Sequence, residues 1–456
     1  MFSNCLRKFA QWCKPIRISN VFFLTALLSL FPAPKLWSAE YGPLIKLLVR
    51  KGLITDQEAE DLRAELAIEF AETSAGKITI DEDVKQLKIK TDLRTRYQHE
   101  STQKTKQSTE KDRSRWRYRL KLGAFYKFTH GWSAGVQLET AEASDSTNTN
   151  FGGYFDKNGD DLFVGQIFID YSMPPNWADL FNINIGKAKH PFLIQEAFWD
   201  SDTNPEGFTQ QIGWRREGDH WFILRAGEYI IDEENESKGF SVDDWLFVGQ
   251  AELRYHFGRK SDLKIAPMLL AETNGISRDF SSESANTPSN ENSLSDFGNM
   301  LVVSVPVEFT FLWNDIPQKF AATVGWNLNA DQAVNTSGSP YRSKNAGDSE
   351  ILDENGLHYS FKYTAGSPKF FKDWAISFEY RYLEAASLTP NLSDSDFGKN
   401  SLNQKGFIVS GAYMLSDSVK FGATLMKSEA IEQNWTSDAA DKYEVDLLQI
   451  DLSAKF

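Results

Sequence analysis

Segments in which polar and apolar residues alternate one by one recur along most of this chain. One of them, KDRSRWRYRLKLGAFYKF at 111–128, places an arginine at every second position from 113 to 119, while Trp116, Tyr118 and Leu120 occupy the alternate positions. Successive side chains of a β-strand point to opposite faces, so this spacing predicts a strand with one basic face and one apolar face.

The number and spacing of these segments limit the possible fold. Tight connectors such as 129–131 alternate between them with long polar connectors such as 281–296. A bacterial outer-membrane barrel has an even number of antiparallel strands, joined in turn by short periplasmic turns and long external loops. The sequence therefore predicts an all-β fold, a 16-stranded antiparallel transmembrane β-barrel. Its predicted strands are 87–98, 113–128, 132–142, 161–173, 180–189, 207–216, 220–231, 244–257, 262–273, 299–312, 318–329, 355–364, 373–384, 404–415, 418–430 and 443–456.

The first 39 residues have the features of a secretory signal peptide. Five basic and no acidic residues occur there, and 21–31 is the apolar run VFFLTALLSLF. That run is shorter than the roughly 20 residues that a transmembrane helix needs. We expect cleavage after Ala39, which also removes both cysteines, Cys5 and Cys13. The exported chain is then expected to have neither disulfides nor a thiolate metal site.

The charge of the chain is strongly acidic. The formal net charge is −14, and loss of the leader with its five basic residues brings it to about −19. Such a charge argues against nucleic acid as a partner, because nucleic-acid binding depends on basic surfaces. It is better explained by solvated external loops.

Only residues 41–72 are convincingly helical. Gly52 suits the end of one helix, and Thr55, Gln57 and Glu58 belong to a capping box, TDQE, that opens a second one. We expect a short N-terminal helical hairpin and linker in the periplasm at 40–82, followed by the barrel at 83–456. The sequence leaves open whether the hairpin packs on itself, on another copy of the chain or on the cell wall.

The chain ends in LLQIDLSAKF, an alternating strand with a terminal aromatic residue. Leu448, Ile450, Leu452 and Ala454 share the face that is predicted to meet lipid. A terminal phenylalanine, here Phe456, resembles the assembly signal of bacterial outer-membrane barrels.

With these residues identified, the sequence resembles the putative-porin families of Gram-negative outer membranes, including relatives of the phosphate-selective porins. The similarity rests on KGLITDQEAEDLRAEL in the helical segment, on INIGKAKHPF at 183–192 and on FWDSDTNPEGF at 198–208. It implies a passive diffusion channel for small hydrophilic solutes or ions, without enzymatic activity or cofactor. It also implies association into a homotrimer.

In such porins the third external loop folds inward and narrows the pore. Here the third long connector is 190–206, and the resemblance assigns it as the constriction loop. The alternative interpretation is an ordinary exposed loop. Its acidic residues are Glu196, Asp200, Asp202 and Glu206.

The barrel prediction gives the alternating arginines a role in ion selectivity, because their face of the strand would line a water-filled lumen. A basic wall opposite an acidic loop would produce a transverse field, and charged rings tune the ion preference of a pore. The alternative is that the arginines mainly pair with lumen acids such as Asp92 and stiffen the wall. The predicted pore-lining residues are Arg94, Arg96, Arg113, Arg115, Arg117, Arg119, Glu139 and Asp170.

Other motifs are weaker. DKNGDD at 156–161 lacks the glycine and the later glutamate of a calcium loop, and the six histidines have no metal-ligand spacing, so we expect no metal site. His358 and Ser360 share a polar face, but no nucleophile motif accompanies them. The remaining alternative is a non-conducting adhesin or structural tether, which would require a plugged barrel.

Overall fold

The structure, a computed structural model, consists of two compact units, Met1–Ile80 and Asp81–Phe456. It describes residues 50–51, 55, 57–59, 84–103, 111–141, 148–152, 161–232, 244–258, 260–273, 300–330, 334–335, 350–351, 356–384, 386–389, 392–394, 396–398, 402–431 and 444–456. The predicted signal peptide, most of the predicted helical hairpin and the DKNGD sequence at 156–160 lie outside these residues.

The described part of the first unit contains the predicted capping box. The backbone N–H of Thr55 donates to Oε2 of Glu58 at 2.7 Å, and the N–H of Glu58 donates to Oγ1 of Thr55 at 3.2 Å. These bonds satisfy donors that a helix start leaves unpaired. They also lower the pKa of the Glu58 carboxyl group, because a hydrogen-bonded carboxylate is stabilised in its charged form.

The second unit is a closed barrel in which each of sixteen strands, all within the described residues, pairs antiparallel with its neighbours. The ninth strand is interrupted at Ala266 and Pro267. Three short strands, Thr149–Asn150, Val334–Asn335 and Glu350–Ile351, belong to the long connectors. The barrel strands are β1 Val84–Gln103, β2 Lys111–Phe128, β3 Trp132–Ala141, β4 Asp161–Tyr171, β5 Leu180–Lys187, β6 Glu206–Arg216, β7 His220–Asp232, β8 Asp244–His256, β9 Asp262–Ile265 with Met268–Thr273, β10 Leu301–Trp313, β11 Ile316–Asn327, β12 Leu357–Gly366, β13 Trp374–Leu383, β14 Gln404–Met414, β15 Val419–Ala430 and β16 Glu444–Lys455.

The sheet closes between the first and last strands. The pairing of β1 with β16 runs from Asp92 opposite Lys455 to Gln103 opposite Glu444. Phe456 completes it, because its N–H donates to the carbonyl oxygen of Thr91 at 3.1 Å and the N–H of Thr91 donates back at 2.7 Å. Closure leaves no sheet edge with unpaired backbone groups, as a bilayer requires. The predicted sixteen-stranded barrel is thus confirmed.

The two faces of the sheet differ as the alternation predicts. Outward-facing aliphatic side chains such as Ile167 and Ile376 are 56% and 57% exposed. Their inward-facing neighbours, such as Gln166 and Ser377, are polar and buried. Exposed aromatic residues, among them Trp177 and Trp313, accompany the short turns, as in the interfacial girdles of membrane barrels.

The short connectors are built for tight reversal. Asn314 and Asp315 alone link β10 to β11, and both have positive φ, 49° and 61°. This is the conformation of a two-residue type I′ hairpin turn, whose twist matches that of the flanking strands. Among the described residues, no helix is long and apolar enough to cross a membrane.

The closing pair leads to a prediction about assembly. Deletion of Phe456 removes two backbone hydrogen bonds, each worth about 1 kcal/mol, and the terminal aromatic ring. We expect a smaller fraction of heat-modifiable, folded barrel on gels, while the barrels that insert keep normal conductance. Phe456→Leu retains the backbone bonds and isolates the contribution of the ring. Normal assembly of the truncated protein would contradict this role.

The orientation of the faces can be tested with arginine on either side of one strand pair. Ile167→Arg places a charge in lipid and should lower the free energy of unfolding in vesicles by about 2–4 kcal/mol. The control is Gln137→Arg on the adjacent strand, which faces the interior and should change that free energy by less than about 1 kcal/mol. An equal loss in both variants, measured by urea unfolding, would refute the assignment.

Candidate functional site

The interior of the barrel contains a cavity of about 1160 Å³ whose wall is mostly polar. Inward-facing residues of β1 to β6 and of β12 to β16 supply most of the lining, and the connectors after β3, β5 and β13, together with Phe456, supply the rest. Ten basic and eight acidic side chains line it. A cavity with this many ionisable groups is suited to water and to hydrophilic solutes.

The third long connector, 188–205, lies inside the barrel. It extends from β5 to the inward face of β8, where the side chain of Gln250 bonds both the N–H and the carbonyl oxygen of Leu193 at 2.9 and 2.8 Å. It then reaches β12, where the ring of Phe198 lies 4.6 Å from that of His358. Because β12 is almost diametrically opposite β5 in the closed strand order, the connector crosses the lumen.

Apolar packing holds this connector against one side of the barrel. Phe198 and Trp199 are 1% and 2% exposed, and they belong to a core that includes Leu246 and Leu270 from the inward faces of β8 and β9. His190 packs 4.5 Å from the ring of Trp199, and burial lowers its pKa to about 4. It is therefore neutral near pH 7. This core fills one side of the lumen and confines the polar cavity to the other.

An ion pair joins the third connector to β2, on the side of the lumen opposite the apolar core. Asp202 accepts a hydrogen bond from Nζ of Lys121 at 2.9 Å and lies 3.6 Å from Nη1 of Arg119, both on β2. Burial by itself raises the pKa of Asp202, but the charges of Lys121 and Arg119 outweigh burial and hold the pKa below its ordinary value. The carboxylate therefore stays charged at neutral pH.

Lys121 also contacts a carboxylate on the neighbouring strand. Its Nζ lies 2.6 Å from Oε2 of Glu139, a residue of β3 that is almost fully buried. Gly165 on β4 makes room for this carboxylate, since a Cβ there would lie 1.6 Å from Oε1 of Glu139. The predicted pore residue Glu139 thus neutralises a lysine of the wall.

The predicted arginines of β1 and β2 form two like-charged pairs. Arg94 lies opposite Arg119, and Arg96 lies opposite Arg117. Like charges directly opposite each other destabilise a sheet unless other groups compensate them. Arg96 makes a forked pair with Asp451 on β16 at 2.7 and 3.0 Å and reaches Asp396 at 3.1 Å.

The six predicted arginines do not share one environment. Arg94, Arg96 and Arg119 line the cavity, and Arg119 pairs with Asp92 at 3.2 Å. The other three, Arg113, Arg115 and Arg117, are not among the lining residues. Arg115 lies 3.4 Å from Glu100, Arg117 donates to the carbonyl oxygen of Asn148 at 2.9 Å, and Arg113 is exposed.

The remaining predicted acids occupy different places. Asp170 lines the cavity and accepts hydrogen bonds from Asn182 and Ser133 rather than from an arginine. Glu196 and Asp200 also line it. Asp200 accepts a hydrogen bond from the N–H of Asp202 at 2.8 Å, which shapes the turn. Glu206 is the first residue of β6, is largely exposed and pairs with Lys187 at 2.9 Å.

None of the six lysines that line the cavity was predicted as a site residue. Three of them, Lys121, Lys362 and Lys455, pair with carboxylates, and the other three pair with none that the structure describes. Lys88 and Lys90 continue the inward phase of β1, and Lys189 lies on the third connector. Together with Arg94 they have no carboxylate within 4 Å among the described residues. The alternating pattern could have identified the two lysines of β1, whereas Lys189 depends on how the connector folds.

The polar pair considered for catalysis has other partners. His358 is fully buried and its Nε2 lies 2.9 Å from Oγ of Ser304, while Ser360 bonds Gln195 of the third connector. Gly325 leaves space for the His358 contact, because a Cβ there would lie 2.2 Å from Nε2. In the described part of the chain, no cluster of three or more potential ligands is arranged to hold a metal ion.

Comparisons with known proteins give one family match and several similar solved structures. The model of a family described as "Putative porin" matches residues 83–296 and 316–456. A search of curated proteins found no match. Among solved structures, OmpF of Salmonella typhi in complex with daunomycin is 11% identical, with coverage of 83% of this chain and 99% of that chain and a TM-score of 0.44. The high-pH structure of Pseudomonas putida OprB is 8% identical, with coverage of 81% and 94% and a TM-score of 0.49.

The family match carries the assignment. It covers most of the chain and every described barrel strand except β10, which lies in the unmatched interval 297–315. The chain belongs to the "Putative porin" family of outer-membrane barrel channels.

Proposed function

We propose that this protein is a passive diffusion channel for small hydrophilic solutes, with a preference for anions. The observation that carries the proposal is the charged cavity, in which basic side chains outnumber acidic ones by ten to eight. Passage needs no energy coupling, because the lining offers many weak polar contacts and so permits both entry and exit.

The preference for anions is attributed to the basic groups that no carboxylate neutralises. Lys88, Lys90 and Arg94 lie on the inward face of β1, and Lys189 lines the same cavity from the third connector. Arginine can hold a carboxylate or phosphate oxygen pair by two parallel hydrogen bonds. A relation to phosphate-selective porins would fit this chemistry and is part of the proposal.

The third connector is proposed as the constriction loop. Its crossing of the lumen and its ion pair through Asp202 support this role. The sequence predicted a field between a basic wall and an acidic loop on opposite sides of a gap. In the structure Asp202 contacts the wall directly, so we attribute the field to the unpaired bases on one side and to Glu196 and Asp200 on the other.

Three further expectations belong to the proposal. Residues 1–39 are removed on export, 40–82 stay in the periplasm, where the helices contact the cell wall or another copy, and three barrels associate in the membrane. Chemical cross-linking of the protein in outer membranes tests the last expectation, and a ladder that ends at dimer would contradict it.

Loss of an unpaired basic charge should change the ion preference. Arg94→Gln removes one positive charge from the cavity, and we expect the anion-to-cation permeability ratio to fall by about sevenfold, because a unit charge about 7 Å away in water changes the energy of an anion by about RT and that of a cation by the same amount with opposite sign. Reversal potentials in planar bilayers under a salt gradient measure the ratio. Arg113→Gln, at an exposed site outside the cavity lining, is the matched control and should leave the ratio unchanged. Equal shifts in both variants would contradict the assigned selectivity.

The constriction role of the third connector can be tested with neutral sugars, whose passage depends on pore size rather than on charge. Asp202→Asn removes the ion pair to Lys121 and should let sugars near the size limit enter vesicles faster relative to the smallest sugar. Vesicle swelling rates measure this ratio. Glu206→Gln breaks the exposed pair to Lys187 and serves as the control. A size dependence unchanged by Asp202→Asn would count against the constriction.

A further inference from the structure

The connector between β13 and β14, residues 384–403, is a polar stretch that its sequence places among the exposed external loops. In the structure most of its described residues, which are 384, 386–389, 392–394, 396–398 and 402–403, are buried. Ala386, Leu388, Phe397 and Leu402 are each 2% exposed or less and belong to the same apolar core as Phe198. The described residues of this connector therefore also lie within the barrel, beside the third connector.

The two inward connectors are joined to each other. The N–H of Asp200 donates to the carbonyl oxygen of Leu392 at 2.7 Å. Near this contact, Asp394 accepts a hydrogen bond from Nη1 of Arg381, a buried residue of β13. Burial, together with the nearby carboxylates of Glu196 and Asp396, raises the pKa of Asp394 to about 6, although the charge of Arg381 opposes this rise. Asp394 thus lies near Glu196 of the third connector and near Asp396 of its own connector.

Asp396 joins connector 384–403 to the basic wall. Its Oδ2 accepts hydrogen bonds from Nη1 of Arg96 on β1 at 3.1 Å and from Nε2 of Gln449 on β16 at 2.9 Å. The side chain remains 31% exposed and lines the cavity. The arrangement parallels that of Asp202 on the third connector, which contacts the same wall through β2.

We propose that connector 384–403 is a second constriction element, and that Asp396 on it is a selectivity residue of the channel. The inference rests on the proposed channel function and deepens it. The narrow region is then bounded by two connectors joined to each other, each of which places one aspartate on the arginine wall. A passing anion meets Arg94 beside the negative charge of Asp396, so this carboxylate moderates the anion preference.

Neutralisation of Asp396 tests the electrostatic part. Asp396→Asn keeps an oxygen that can accept from Arg96 and Gln449, so the fold should be retained, but it removes one negative charge from the cavity. The anion-to-cation permeability ratio should rise by about sevenfold, because a unit charge about 7 Å away in water changes the energies of anion and cation by about RT in opposite directions. Asp315→Asn is the matched control, because Asp315 lies on a short turn with its side chain 93% exposed. An unchanged ratio in Asp396→Asn would overturn the role of Asp396.

A cysteine at the same position tests the location of the connector. The sequence from residue 40 onward contains no cysteine, so Asp396→Cys introduces a single thiol. Reaction with a charged methanethiosulfonate reagent should lower the single-channel conductance in one step, whereas modification of Asp315→Cys should not. Complete labelling at position 396, verified by mass spectrometry, without loss of current would refute the second constriction.

The two proposals can fail separately. If the folded wild-type protein does not conduct, the proposed channel function fails, whatever residue 396 does. If the wild-type protein conducts and modification at position 396 leaves its current unchanged, only the second constriction fails. Heat-modifiable mobility on gels shows that each variant is folded before its current is compared.

Discussion

The interior of this barrel is organised around four arginines that face each other across two neighbouring strands. Arg94 lies opposite Arg119 and Arg96 opposite Arg117, so the sheet brings like charges together in a region partly shielded from solvent. Such an arrangement persists only if negative groups compensate it. Asp92 and Asp451 do so from the barrel strands, while Asp202 and Asp396 do so from two different connectors.

The compensation explains why long polar connectors lie inside the lumen. Each of the two connectors has an apolar side, represented by Phe198 and Phe397, that packs in the common core, and an aspartate that reaches the basic wall. Buried ion pairs contribute little net stability because desolvation offsets their attraction, but breaking one leaves an uncompensated charge. In this barrel the main effect of the ion pairs is on the position of the two connectors. They fix both connectors beside an open, charged passage instead of allowing them to fill it.

The fold could be predicted from the sequence because alternation reports directly which side of a strand each residue occupies. Sixteen strands, their short turns and the outward direction of Trp116 and Trp132 follow from period-two patterning alone. The depth of a residue within the barrel does not follow from this patterning. Arg113 and Arg119 share one face of β2, yet only Arg119 lines the cavity. The burial of connector 384–403 was not predictable either, because its few apolar residues, such as Leu388 and Phe397, show no periodicity and find their core only in the folded barrel.

The most direct test of the account is the reversal potential of the purified wild-type protein in a planar bilayer under a potassium chloride gradient. The account predicts stepwise conductance increments and a reversal potential of the sign that anion preference gives, because unpaired lysines and Arg94 face the passage. Well-folded protein that inserts without conducting would contradict the channel itself. A clear cation preference would show that the acidic residues of the two connectors, and not the basic wall, control the passage.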